Sequence, residues 1–412
     1  MSSLSSYVVV FILALGTIRG LIVLNTGVPV QTVYAASSAL LITVSIYGWF
    51  TRRKLIDGDL LLLKKLLLLN MLLGIVNVVI DLLLGMPFSP GVLYLYLFPH
   101  AIFVFLRVPA SYFRVAFIIV ALAISYSVLV CFIESLKGKE GVLNVFEYNM
   151  KLRPDIFATG LGLSHTGPIY RPSGYTGDPH DSGNILGMMG SFFLIRFLVD
   201  RKWLDLGVAL FALFSLTLTQ SATNIVVALF TCATFSVYAL VFRRDIKTLF
   251  GLMVIVLAVY CIAVRFDNVV TIFTDRVSED GDWEGMGNRL SISSFLEAIP
   301  YFIIGHATAL GSRIIDVEAD LLKKVVQLGI FHASIFYWIM LYPIFRFVRV
   351  RATCHVALPA VAAIFFGFMS LLHYGSLFRS TSVGLYYAMC AMCLGYVLNA
   401  KSAVPGKLVV NK

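Results

Sequence analysis

The stretch "RPSGYTGDPHDSGNILGMMGSFFLIRFLVD", residues 171–200, changes character halfway along. Its first half carries an arginine, aspartates, a histidine and glycines. Its second half is apolar over about the length a helix needs to cross a bilayer. The rest of the chain has the same apolar bias. Of 412 residues, 59% are hydrophobic and only 13% charged, with mean hydropathy +0.90, whereas soluble proteins are charged at roughly a quarter of their positions. The sequence therefore predicts an all-α, polytopic membrane protein. A net charge of +10 would suggest nucleic acid for a soluble domain. Here most basic residues sit in short links between apolar runs, so a nucleic-acid partner is discounted.

Windows of about 20 apolar residues give twelve expected spans, near 5–24, 30–50, 60–84, 90–106, 112–133, 182–199, 203–219, 223–242, 248–266, 321–343, 355–373 and 380–399. With both termini in the cytoplasm, Arg52-Arg53-Lys54, Arg107 with Arg114, Arg201-Lys202, Arg243-Arg244 with Lys247, Arg346 with Arg349 and Arg351, and Lys401 all fall inside. The short outer links "NTGVP", "GMPFSP" and "TQSAT" carry no Lys or Arg. That asymmetry sets the expected orientation. No Lys or Arg precedes the first apolar run, so no cleaved signal peptide is expected.

The chain then divides into a five-helix membrane region (1–133), a first long outer loop (134–181), a central membrane region (182–266), a second long outer loop (267–320) and a C-terminal membrane region with tail (321–412). Loops of this size usually carry function. The acidic run "SEDGDWEG" (278–285) lacks calcium-loop spacing. All six cysteines lie in or beside apolar runs, and Cys390 and Cys393 form a CxxC within a span; both read as helix packing. Several spans hold polar groups: Asn70, Asn77 and Asp81 on one helical face, then His100, Arg196, His332 and His373. Interhelical hydrogen bonding is the plainest account of each.

The two outer loops differ in that their polar residues form a pattern. The first carries Arg153 and Arg171 ahead of Gly174, Gly177, Asp178 and His180. In the second, "GNRLSISSFLEAIP" holds Arg289 in an apolar spacing that reads as a short amphipathic helix on the membrane surface. "YFIIGHATALGSRIIDVEADLL" follows, with Gly305, His306, Arg313, Glu318 and Asp320. Guanidinium forks pair bidentately with phosphate oxygens. Glycines let backbone amides approach an anion, and carboxylates beside it supply a base for an attacking hydroxyl.

In these features the chain resembles the O-antigen polymerase and ligase family of bacterial inner-membrane enzymes. The resemblance rests on the twelve-span layout and on "RPSGYTGDPHDSGNILG", "LTLTQSATNIVVAL", "NRLSISSFLEAIPYFIIGHA" and "EADLLKKVVQLGIF". Residues 150–345 carry it; the first five spans agree only in hydropathy. It implies transfer of glycan from an undecaprenyl-pyrophosphate carrier at the periplasmic face of the inner membrane. Arg171 and Arg289, helped by Arg313 or Arg153, would engage the pyrophosphate. Glu318 or Asp320, then His306 or Asp178, would activate the acceptor hydroxyl, with Gly174, Gly177, His180 and Gly305 in support. No cofactor is implied, and an arginine clamp makes a metal unnecessary without excluding one. A flippase and a chain-length regulator are the implied partners. The chain departs from the family at Pro179-His180, where Pro-Asn is usual. It departs again at Glu318-Ala319-Asp320, where ligases carry a histidine, and this favours a polymerase over a ligase. A transporter or flippase of lipid-linked or polar substrates is the expectation from another class.

Overall fold

The structure, a computed structural model, describes residues 13, 15, 18–51, 60–83, 85, 92–137, 143–152, 172–219, 221–243, 303, 305, 320–350, 354–372 and 380–402. Every regular element among them is helical. In chain order they are α1 (Arg19–Thr26), α2 (Val30–Thr51), α3 (Leu61–Leu83), α4 (Val92–Leu97), α5 (Ile102–Phe105), α6 (Ala110–Lys137), α7 (Val145–Leu152), α8 (Pro179–Asp200), α9 (Trp203–Leu218), α10 (Ala222–Arg243), α11 (Asp320–Leu328), α12 (Ile330–Val350), α13 (Leu358–Met369) and α14 (Ser380–Ser402).

Seven of the described helical stretches are long and apolar enough to cross a membrane: Gln31–Phe50, Leu61–Leu83, Ala110–Ser135, Pro179–Asp200, Ile330–Val350, His355–Leu372 and Ser382–Ala400. Three shorter apolar ones, Leu95–Phe105, Trp203–Leu218 and Thr223–Ala239, fall where spans were expected. The protein is thus an all-helical, multi-pass membrane protein. The expected span 248–266 lies outside the described residues, as do most of 5–24 and nearly all of the second loop.

α8 is the axis of the bundle: 89% of its spanning window is buried within the protein, against 28% for α3. Glycines set its close packing. A Cβ at Gly187 would run into the Phe366 ring of α13, and one at Gly190 would lie 2.6 Å from Leu213 of α9. On α13, Gly367 plays the same part toward Tyr386 of α14. Small residues permit such approach in membranes, where dispersion contacts replace the hydrophobic drive between helices. Tyr386 then donates to the Met340 carbonyl of α12 at 3.1 Å. The buried Cys393 thiol donates to the Pro343 carbonyl at 3.7 Å, so this half of the CxxC serves helix packing.

α3 shows the peripheral pattern. Leu63, Leu67, Asn70, Gly74, Asn77 and Asp81 recur at spacings of four and three and are buried. Leu61, Leu68, Leu72, Ile75, Val79 and Leu82 on its other face are exposed, an apolar face suited to lipid.

Three boundaries differ from those expected of the sequence, each for a local reason. α6 continues to Lys137, where the Glu134 carboxylate accepts from the Leu143 and Phe146 amides, both at 2.9 Å, and folds the following segment back. α8 begins at Pro179 rather than 182, because Asp178 caps it and proline suits the first helical position. The expected span 321–343 is two helices, broken at Gly329 with φ +79. Glycine adopts that left-handed conformation at a helix end without steric cost.

Candidate functional site at one end of the bundle

Contacts place the starts of four long helices at one end of the bundle. Asp181 at the start of α8 meets Ser382 at the start of α14. His180 meets Ser221 just before α10. α11, which precedes α12, packs on the Ser370–Leu372 turn that follows α13.

The stretch that opened the sequence reading lies at this end, and it is buried. Residues 172–179 and 181–195 are all buried, with His180 half-buried. Gly174 and Gly177 take φ values of +58 and +72 and frame a single 3-10 turn, Gly174–Thr176. A Cβ at Gly174 would collide with the Ser127 hydroxyl of α6, and one at Gly177 with the Leu152 side chain of α7. Ser127 accepts from the Tyr175 amide at 3.1 Å. The Thr176 and Ser182 hydroxyls lie 2.6 Å apart, and Ser182 donates to the Ser173 carbonyl at 2.6 Å. The Asp178 carboxylate accepts from the His180 amide at 2.9 Å and the Asp181 amide at 3.3 Å. That is a helix N-cap with a second acid, Asp181, in the first turn, where the helix dipole favours negative charge.

An arginine distant in sequence holds this turn. Arg19 of α1, 2% exposed, donates to the Thr176 carbonyl and lies 3.4 Å from the Asp181 carboxylate, which is fully buried. Asp181 also accepts from the Ser382 hydroxyl at 2.6 Å. A buried carboxylate is tolerable only when paired and hydrogen-bonded, and here an arginine, a hydroxyl and a helix N-terminus share the task. Beside Arg19, a Cβ on Gly20 would meet the Tyr175 carbonyl at 2.7 Å and the Tyr148 ring at 2.8 Å, so α1 is wedged between the turn and α7. Burial pushes the Tyr148 phenol above its ordinary range against the pull of the Arg19 charge, so it remains a neutral hydroxyl.

His180 has a describable place as well. Its Nδ1 lies 3.3 Å from the Ser221 hydroxyl, and its carbonyl accepts from the Asn224 amide at 3.2 Å. Ser221 precedes α10 and Asn224 lies in its first turn, both within "TQSATN", so two separate stretches of the sequence are joined. Asn184, one turn further along α8, is fully buried, and neither of its amide atoms finds a partner among the described residues.

Of the residues proposed from the sequence, Gly174, Gly177, Asp178 and His180 are thus brought together. Gly305 lies elsewhere, against the Leu328–Gly329 peptide, where an added Cβ would meet the Leu328 carbonyl oxygen at 2.7 Å. Asp320 is the first residue of α11. Arg153, Arg171, Arg289, Arg313, His306 and Glu318 lie outside the described residues. Arg171 immediately precedes the buried turn in the chain.

The polar groups noted within spans also find places. His332 Nε2 lies 3.1 Å from Asn70 Oδ1, and its Nδ1 lies 3.3 Å from Asn77 Nδ2. His100 Nδ1 lies 3.3 Å from the Leu97 carbonyl, and its ring packs edge-on to Trp49. Arg196 pairs with Asp200 and Asp205, each at 3.3 Å, at the other end of α8. His373 lies outside the described residues.

Sequence reasoning missed Arg19, Asp181 and Ser382. The available signal for Arg19 was an arginine within an apolar run, a costly placement that calls for a partner. Among the described residues, no three His, Cys, Asp or Glu side chains gather as a metal site. No protein-family model matches the chain, and no curated protein matches it.

Proposed function

We propose that the protein is a glycosyltransferase that polymerises undecaprenyl-pyrophosphate-linked oligosaccharide repeat units at the periplasmic face of a bacterial inner membrane. The reaction is displacement at an anomeric carbon with the carrier pyrophosphate as leaving group. Arg171 and Arg289, with Arg313 or Arg153, neutralise the charge that develops on that pyrophosphate. Glu318 or Asp320, with His306 as the alternative, orients or deprotonates the acceptor hydroxyl.

The supporting observation is the rigid seat of the turn that follows Arg171. Pro172 and the residues after it are buried, and α1, α6, α7 and α8 hold them through Arg19, Ser127, Leu152 and the Asp178 cap. Catalysis by charge neutralisation depends on donors held in place before the charge develops, and a buried anchor one residue from the arginine suits that requirement. The reading gives the glycines and Asp178 a positioning role and leaves the phosphate contacts to the arginines.

Transport is a second reading, favoured by the α11–α12 break at Gly329 with polar groups beside it, since transporters build sites from interrupted helices. A strain lacking the protein separates the polymerase from the ligase on a glycan gel. Retention of a single repeat on lipid A core marks the polymerase, and loss of all glycan from the core marks the ligase. Arg289→Ala is expected to abolish long chains with the protein level unchanged, and wild-type chain lengths would remove Arg289 from the mechanism.

A further inference from the structure

α11 is a short helix held by its backbone carbonyls at both ends. At its start, the Tyr337 hydroxyl of α12 donates to the Leu321 carbonyl at 2.5 Å. At its end, the Asn77 amide of α3 donates to the Leu328 carbonyl at 3.0 Å. The last carbonyls of a helix have no intrahelical donor, so a buried side chain supplies one here. Just after the second anchor, at Gly329, the chain reverses onto α12.

The second anchor is itself braced. Asn77 can only donate through Nδ2, so His332 Nδ1 accepts, and the imidazole carries its proton on Nε2. Nε2–H then donates to Asn70 Oδ1 at 3.1 Å, and the Asn70 amide donates to the Leu95 carbonyl at 3.4 Å. The Tyr96 ring stacks on His332 at 5.3 Å, over the space that Gly74 leaves open. Each donor in this relay has one consistent direction, and Asn70, Asn77 and His332 are all buried. The relay runs from Asn77 to the Leu95 carbonyl, and the same Asn77 amide also donates to the Leu328 carbonyl at the helix break, against which Gly305 packs.

We propose that Asn77, braced by His332 and Asn70, and Tyr337 are positioning residues that fix α11, and with it Asp320 at its first position and Gly305 against its end, for the transfer reaction. The inference rests on the reading of Asp320 and the second loop given above. Tyr337→Phe and Asn77→Leu each remove one anchor with little change in volume, and His332→Gln retains a donor toward Asn70. Two measurements on full-length protein in lipid vesicles decide the matter. Hydrogen exchange of peptides covering 321–333 should quicken in Tyr337→Phe and Asn77→Leu while α8 peptides keep wild-type protection. With a lipid-linked repeat unit as substrate, kcat should fall 10- to 100-fold, on the order expected for a misplaced catalytic group, with KM within about twofold. His332→Gln should recover part of kcat relative to His332→Leu. Wild-type exchange in both anchor variants would overturn the proposal. So would a loss of protection across α8 that accompanies the loss of kcat, since that marks a general structural role. If wild-type protein lengthens no glycan, the transferase reading fails, and the exchange measurement still decides whether the anchors hold α11.

Discussion

The two ends of α8 solve the same problem in different ways. Each places a carboxylate against arginines at the edge of an apolar helix about 33 Å long. At the N-terminal end, Asp181 has one arginine among the described residues, Arg19, and both are almost completely buried. At the C-terminal end, Asp205 has two, Arg114 at 3.2 Å and Arg196 at 3.3 Å. Those side chains are 23% and 14% exposed, and Asp200, 30% exposed, shares Arg196. The second arrangement is partly wet and redundant. The first is dry, with one described arginine for its carboxylate, and it lies beside the turn that follows Arg171.

Arg19→Met should therefore have the largest effect. It leaves Asp181 buried without its counter-charge, at a cost of about 3–5 kcal/mol. The melting temperature in detergent should drop steeply, and Arg19→Met with Asp181→Leu should recover much of the loss. No recovery would mean that the pair holds the turn through its hydrogen bonds rather than through charge balance.

Gly177→Ala comes next, at about 1–3 kcal/mol, since it forces alanine into φ +72 and drives a Cβ into Leu152. Equal melting temperatures for variant and wild type would show that the turn relaxes freely. Arg114→Ala should cost less than Arg19→Met, because Arg196 remains beside the buried Asp205 and the Arg114 side chain is itself partly solvated. A loss as large as that of Arg19→Met would erase the contrast between the two ends. Asn184→Leu should be neutral or raise the melting temperature, since replacing a buried amide that has no partner among the described residues by an apolar group removes a desolvation cost of about 1–3 kcal/mol. A clear drop would reveal a partner for Asn184 in the working protein.

Hydropathy made the bundle legible. Six of the seven described spanning helices fall within a few residues of the apolar runs that predict them, because membrane helices must satisfy their own backbone and so declare their length; the seventh, Ile330–Val350, is displaced from the run at 321–343. The ends were harder. "GDPHD" read as chemistry is also a helix start, an aspartate cap followed by proline at the first helical position. Gly329 lies inside an apolar pattern that continues through it, so the window saw one span where the backbone makes two helices.

The site was legible in part. Gly174, Gly177, Asp178 and His180 do converge, and their neighbourhood in sequence makes that unsurprising. Arg19 was not legible as their keystone, because its partners lie 157 and 162 residues away and no local pattern joins them. The same distance hid Ser382, 201 residues from Asp181. The relay from Asn70 through His332 was visible only as a set of polar residues, each with an ordinary explanation by itself.

The central claim is enzymatic, and reconstitution tests it most directly. Purified protein in liposomes, supplied with undecaprenyl-pyrophosphate-linked repeat units, should yield a ladder of longer lipid-linked glycans and release undecaprenyl pyrophosphate. Movement of the repeat unit across the bilayer with its length unchanged would contradict the account.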